Sequence, residues 1–287
     1  MLAGLLTLGF FIQLAVSSRE AWHTFGLGFL ISSEWDPATD RYGALPAIAG
    51  TLGTTVIALI FAIPPAFAAA LYLVDAPPWL NKPLSHAMDL LAAIPSVIYG
   101  MWGLFVLAPL MQKYVQPFLA DTLHLGGLPG FSRDYNGFGL LTAGLILGVM
   151  VLPYISAVMR DVFRMTPSVL REAAYGIGCT KWETACDIVL RYGIRGMLGG
   201  IFIGLGRALG ETMAVLFVIG NVMALPDNLF AGATTIAGTL ANNFAEADGL
   251  QRSALFALGL VLLGLSLAIQ LLTQYYLHAT ESKRGER

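Results

Sequence analysis

Residues 166–190 read TPSVLREAAYGIGCTKWETACDIVL and sit inside a polar stretch, 161–195, flanked on both sides by apolar runs. Thr166 followed by Pro167 predicts an N-cap with proline at the first helical position. Leu170, Ala173, Ala174 and Ile177 then recur at i, i+3, i+4 and i+7, one narrow apolar stripe on a short helix. Gly176 and Gly178 offer left-handed positions that end it. Thr180 with Glu183 three residues later is a capping box that opens a second helix. The stretch therefore reads as helix, sharp turn, helix. Its stripe is built largely of alanine, too weak for anchoring in lipid. Small side chains beside a tight turn suit a groove on a partner protein.

The surroundings of this insert are apolar to a degree that sets the class of the protein. Of the 287 residues, 56% are hydrophobic and 12% are charged, with mean hydropathy +0.71. A soluble domain carries about 25% charged residues, so disordered, nucleic-acid-binding and ordinary cytosolic readings are excluded. The net charge of −2 points to no polyanionic partner. Cys179 and Cys186 make no disulfide framework, and neither has histidine at metal-ligand spacing.

Crossing a hydrocarbon core of about 30 Å takes about 20 mostly apolar residues, because lipid leaves backbone groups unsatisfied. Six stretches meet or approach that length: 1–18, 46–74, 90–112, 135–159, 196–223 and 253–278. All but 196–223 lack Asp, Glu, Lys and Arg. The first stretch has two readings, a retained span or a signal peptide with a small-residue site at Ala15–Ser17. Without a basic residue ahead of it, the retained span is the better one.

Basic residues orient the chain. With the N-terminus inside, Lys82, the arginines and lysine of 160–195, and Lys283, Arg284 and Arg287 face the cytoplasm. Arg19, Arg41, Lys113, Arg133 and Arg252 face outward, ten basic residues against five. Both termini are then cytoplasmic, and 19–45 is an external segment with an interfacial helix. Its Trp22, Phe25, Phe29 and Trp35 read either as an aromatic belt or as an extracytoplasmic docking surface.

The fifth stretch, GMLGGIFIGLGRALGETMAVLFVIGN (196–221), carries the two charges. Gly196, Gly200 and Gly204, and Gly206 with Gly210, form small-residue faces for a neighbouring helix or a substrate. Arg207 lies about 17 Å along a helix from Gly196, near mid-membrane. A charge there costs at least about 2.5–3.5 kcal/mol and usually faces a pathway or a partner. Glu211 follows at i+4, on the same face of a continuous helix. One reading is an ion pair that locks helices together. The other is an oxyanion site in which the arginine fork binds phosphate or carboxylate and the glutamate moderates it. Ser96, Tyr99 and Thr212 are further hydroxyl candidates, each equally able to bond a helix backbone. No Gly-Lys dipeptide occurs, so no P-loop of the form G-x-x-x-x-G-K-S/T is present. ATP-driven transport would draw hydrolysis from a partner chain.

Two sets of residues carry a resemblance. Glu172-Ala173-Ala174, then Gly178, then Ile188-Val189-Leu190 resembles the EAA loop of ABC importer permeases, with Arg191 where that family usually has proline. The run from Gly204 to Ala214 (GLGRALGETMA), Ile94–Gly103 (IPSVIYGMWG) and Val158–Phe163 (VMRDVF) are similar to phosphate importer permeases of the PstC type. The resemblance implies an all-α polytopic membrane protein with six transmembrane helices, a type I (MetI-like) permease fold, and a cytoplasmic coupling helix. It implies a permease core over 46–287, with the EAA loop at 160–195 and a cytoplasmic tail at 279–287. It implies a non-enzymatic permease subunit of the bacterial inner membrane that imports phosphate. Glu172, Ala173, Ala174, Gly178, Ile188 and Leu190 would couple it to the ATPase, and Arg207 and Glu211 would serve phosphate passage. The implied partners are a second, PstA-type permease, a dimeric PstB-type ATPase that binds ATP and magnesium, and a periplasmic PstS-type phosphate-binding protein. Other readings of the residues are a molybdate or sulfate permease, a gradient-driven carrier, and a non-transporting scaffold.

Overall fold

The computed structural model describes residues 2–128 and 130–285. In chain order the elements are α1 (Leu2–Ser17), α2 (Arg19–Phe25), α3 (Gly28–Ile31), β1 (Trp35–Asp36), β2 (Arg41–Tyr42), α4 (Leu45–Asp75) and α5 (Pro78–Ala93). There follow α6 (Ser96–Thr122), α7 (Leu140–Arg164), α8 (Ser168–Gly176), α9 (Lys181–Leu209), α10 (Met213–Leu216), α11 (Ile236–Asn243) and α12 (Gly249–Gly285). Antiparallel β1 and β2 pair Trp35 with Tyr42 and Asp36 with Arg41.

Four helices among the described residues are long and apolar enough to cross a membrane: Leu45–Val74, Leu140–Arg164, Lys181–Leu209 and Gly249–Tyr275. The chain is thus a multi-pass helical membrane protein. Threonines are tolerated in α4 because Thr51, Thr54 and Thr55 donate to the carbonyls of Ala47, Gly50 and Thr51.

Three expected spans take a different form. The described part of α1 has 16 residues, about 24 Å at 1.5 Å per residue. The stretch expected as one span over 90–112 is two helices, α5 and α6, broken at Ile94–Pro95. Pro95 has no N–H to donate and drives the preceding residue out of the helical region; Ile94 is extended, with φ −65° and ψ 127°. Pro64 and Pro65, by contrast, lie inside an unbroken α4. The stretch expected over 196–223 begins earlier, at Lys181, and stops at Leu209, so Glu211 is not one helical turn beyond Arg207. The backbone of the expected tail remains helical to Gly285; Glu286 and Arg287, like Met1, lie outside the described residues.

The chain forms two compact units. The first gathers Met1–Ile57, Ser96–Leu147 and Leu209–Ala268. Its core includes Phe29, Tyr42, Ala47, Ile236, Leu255 and Leu258. The external aromatics are used in this core: Trp22 meets Phe29 edge-on at 5.8 Å, and Trp35 meets Tyr42 at 5.1 Å. Ser253 accepts from the Ala21 N–H and donates to the Ser17 carbonyl, tying α12 to the α1–α2 junction. Gly139 is required by its φ of +129° and by the Phe230 carbonyl oxygen, 2.5 Å from where a Cβ would stand.

The second unit gathers Ala58–Pro95, Gly148–Ala208 and Ile269–Arg287. Here the glycine stripe of α9 packs on α7. A Cβ at Gly196 would meet Val162 at 2.4 Å, one at Gly200 would meet Val158 at 3.1 Å, and one at Gly204 would meet Ile155 at 2.6 Å. Of the two uses open to that stripe, these three glycines take helix packing. Gly206 has nothing within 4 Å of such a Cβ. Phe67 and Phe163 meet edge-on at 5.9 Å, joining α4 to the end of α7.

Candidate functional site

Two constellations emerge, one at the breaks in the helices and one at the polar insert. In the second unit, Arg207 lies in the last turn of α9, where the negative end of the helix dipole favours a cation. Its guanidinium carbon stands 4.1 Å from the centroid of the Tyr154 ring. That is a cation–π contact, which holds a positive charge without neutralising it. The Tyr154 hydroxyl donates to the carbonyl of Ala92, in the last turn of α5. Arg207 is exposed in this chain, so the N–H groups on its edge are accessible. Tyr154 was not a candidate in the sequence. The only signal for it is an aromatic phenol beside Pro153 in an otherwise apolar run.

In the first unit, the structure packs α6, which begins at Ser96 and carries Tyr99, against α10, which Glu211 and Thr212 immediately precede. Gly100 makes this approach possible: a Cβ there would lie 2.7 Å from the Met213 carbonyl oxygen and 2.6 Å from the Phe217 ring. Glu211 follows the end of α9, and its carboxylate accepts from the Ala214 N–H at 3.2 Å, which satisfies one of the free donors opening α10. Tyr99 is buried at 6% exposure, while Ser96, Glu211 and Thr212 are half-buried. Irregular backbone of this kind, within apolar runs, is tolerated at membrane depth only where protein buries it or it lines a cavity.

The insert is close to its expected form, with one shift. Pro167, not Thr166, occupies the N-cap position, with ψ 135°, and α8 begins at Ser168. Thr166 is buried and its hydroxyl makes no hydrogen bond. The turn after α8 depends on Gly178 (φ +94°), whereas Gly176 remains in the helix. Ile177, Gly178 and Cys179 donate to the carbonyls of Ala173, Tyr175 and Ala174, closing the end of α8. The capping box forms in both directions: Glu183 N–H donates to the Thr180 hydroxyl, and Thr180 N–H donates to the Glu183 carboxylate at 2.7 Å. Arg171 donates to the Phe163 carbonyl and fixes α8 to the end of α7.

Of the six candidate coupling residues, Glu172, Ala173 and Gly178 are exposed, Ala174 is buried, and Ile188 and Leu190 are half-buried within α9. Around them Val169 is 70% exposed and Ile177 84%. Apolar side chains so exposed on a polar insert mark an interaction surface. Arg191 continues α9 and pairs with Asp187, one turn back, at 3.3 Å.

Residues 62–280 match the family described as binding-protein-dependent transport system inner membrane component. The chain is 48% identical over 280 residues to the phosphate transport system permease protein PstC of Pasteurella multocida, covering 96% of this chain and 87% of that protein. It is 45% identical over 291 residues to PstC of Haemophilus influenzae, covering 100% of this chain and 92% of that one. Among solved structures, an inward-facing form of the MetNI methionine ABC transporter superposes with a TM-score of 0.62 at 17% identity, covering 81% of this chain and 94% of that chain. The match in fold is to a MetI-type importer permease. Taken together, these matches make the chain a member of the binding-protein-dependent transport system inner membrane components, and within them of the PstC phosphate transport permeases.

Proposed function

We propose that this inner-membrane permease subunit carries inorganic phosphate into the cytoplasm through a path that includes Arg207. The observation that carries this reading is the seating of Arg207 on the Tyr154 ring. A guanidinium held by an aromatic face keeps its full charge and presents planar N–H donors to a tetrahedral oxyanion. Glu211, Thr212, Ser96 and Tyr99 complete the path in this reading, the carboxylate keeping the anion from binding too tightly to leave. Both termini are cytoplasmic, and α8 with its Gly178 turn is the coupling helix. Glu172, Ala173, Ala174, Gly178, Ile188 and Leu190 form the contact with a dimeric PstB-type ATPase that holds ATP and magnesium. A PstA-type permease supplies the other half of the path, and a PstS-type protein delivers phosphate from outside.

A gradient-driven carrier would also have helices broken within the membrane. Similarity over nearly the whole chain to binding-protein-dependent permeases favours the ATP-driven reading. The test is ATP-dependent uptake of labelled phosphate by the complex in liposomes. Arg207→Ala should abolish uptake and Arg207→Lys should leave only part of it, because an ammonium lacks the planar fork. Normal uptake by Arg207→Ala would remove Arg207 from the path. Equal competition by sulfate or molybdate would reassign the substrate.

A further inference from the structure

Tyr154 stands at a junction that the transport reading alone does not explain. In an unbroken helix the Ala92 carbonyl would accept from the N–H of residue 96. α5 ends at Ala93 and Ile94 is extended, with ψ 127°, leaving the carbonyl as one of the orphans of a helix end. The Tyr154 hydroxyl supplies the missing donor. The same ring carries Arg207 on its face at 4.1 Å. One side chain on α7 therefore fixes the end of α5 through its oxygen and the guanidinium of α9 through its π-face. All three residues lie in the second unit.

We propose that Tyr154 is the positioning residue for Arg207, its ring setting the plane of the guanidinium and its hydroxyl locking that ring to the broken end of α5. This rests on the reading of Arg207 as a phosphate-path residue. With its central carbon 4.1 Å from the ring centroid, the guanidinium is held by the π-face of Tyr154. The ring's quadrupole attracts the cation, so the hold depends on electron density in the ring, which mere space-filling does not need.

The test uses the assembled complex in liposomes, with ATP-driven phosphate uptake at saturating phosphate-loaded binding protein. Tyr154 is replaced by phenylalanine and by mono-, di- and trifluorophenylalanine, which drain the ring's quadrupole at nearly constant volume. Uptake should fall stepwise with fluorination, to about five- to thirtyfold below the phenylalanine variant. Tyr154→Phe alone, losing only the Ala92 bond, should slow uptake by about two- to tenfold. Tyr154→Leu should match the most fluorinated ring. Uptake flat across the fluorinated series, while Arg207→Ala is inactive, would overturn the positioning role and leave the phosphate path standing. Full uptake by Arg207→Ala would instead overturn the path itself, and with it this role for Tyr154.

Discussion

Replacing Gly100 by alanine tests whether α6 and α10 meet as closely as the site requires. The added Cβ would stand 2.7 Å from the Met213 carbonyl oxygen and 2.6 Å from the Phe217 ring, with Ala214 Cα at 3.2 Å. Ordinary contact begins at 3.4 Å, so the backbones must part by roughly 0.7 Å. The ring can turn aside, but the carbonyl is fixed by its helix. Overpacking of this kind costs about 1–3 kcal/mol, and the higher helix propensity of alanine returns up to about 1 kcal/mol. A net loss of up to about 3 kcal/mol is expected. The separation falls between α6, which carries Ser96 and Tyr99, and α10, which follows Glu211 and Thr212, and a shift near 1 Å at a functional site can cost about a hundredfold in rate. Two measurements on the assembled complex follow: the inactivation half-life in detergent on heating, and phosphate uptake in liposomes. Gly100→Ala should shorten the first and reduce the second by about ten- to a hundredfold. Gly206→Ala, where a Cβ meets nothing within 4 Å, should leave the half-life at or above that of the parent. A Gly100→Ala complex with parental half-life and uptake would refute the close approach of α6 to α10.

Two other perturbations reach the insert and the external core. Gly178→Val forces a β-branched residue to φ +94°, at a cost of at least about 1 kcal/mol, and should reduce co-purification of the ATPase; undiminished association would free the turn of any docking role. Burial, with Asp40 as a second cause, pushes the Tyr42 phenol up to about 12 from its ordinary 10.0. The folded state therefore favours the neutral phenol, and its contribution to stability is complete below pH 10 and lost between pH 10 and 12. Thermal scans across that window should show a decline that Tyr42→Phe reduces; identical pH profiles for the two proteins would show that the phenol does not titrate in the folded core.

Much of the insert was readable because its signals are local. The Thr180–Glu183 box and the left-handed turn at Gly178 each depend on a handful of neighbouring dihedrals and a side chain within three residues. The start of α8 was misplaced by one residue for a local reason too: with Pro167 extended, Thr166 is drawn away from the N-terminus it was expected to cap. The break at Pro95 had a visible cause in the missing N–H. The end of α9 had no such warning. An apolar run continues past Leu209 to 223, and nothing in its composition separates a helix that continues from one that stops at Gly210 and restarts under the Glu211 carboxylate. The partnership of Arg207 with Tyr154 was equally invisible, since the two are 53 positions apart and meet only because Gly196, Gly200 and Gly204 let α9 lie close on α7.

By itself the sequence determined that this chain lives in a membrane, which way its basic residues bias it, where the helix–turn–helix insert lies, and that Arg207 needs an explanation. Those conclusions follow from transfer free energies and capping rules that sum over neighbours along the chain. Tertiary structure alone decided where α9 ends and what the arginine rests on. A helix end and a cation–π contact are settled by competition among groups distant in sequence. The expected i,i+4 relation of Arg207 to Glu211 gave way because Glu211 caps α10, while an aromatic ring from α7 holds the arginine.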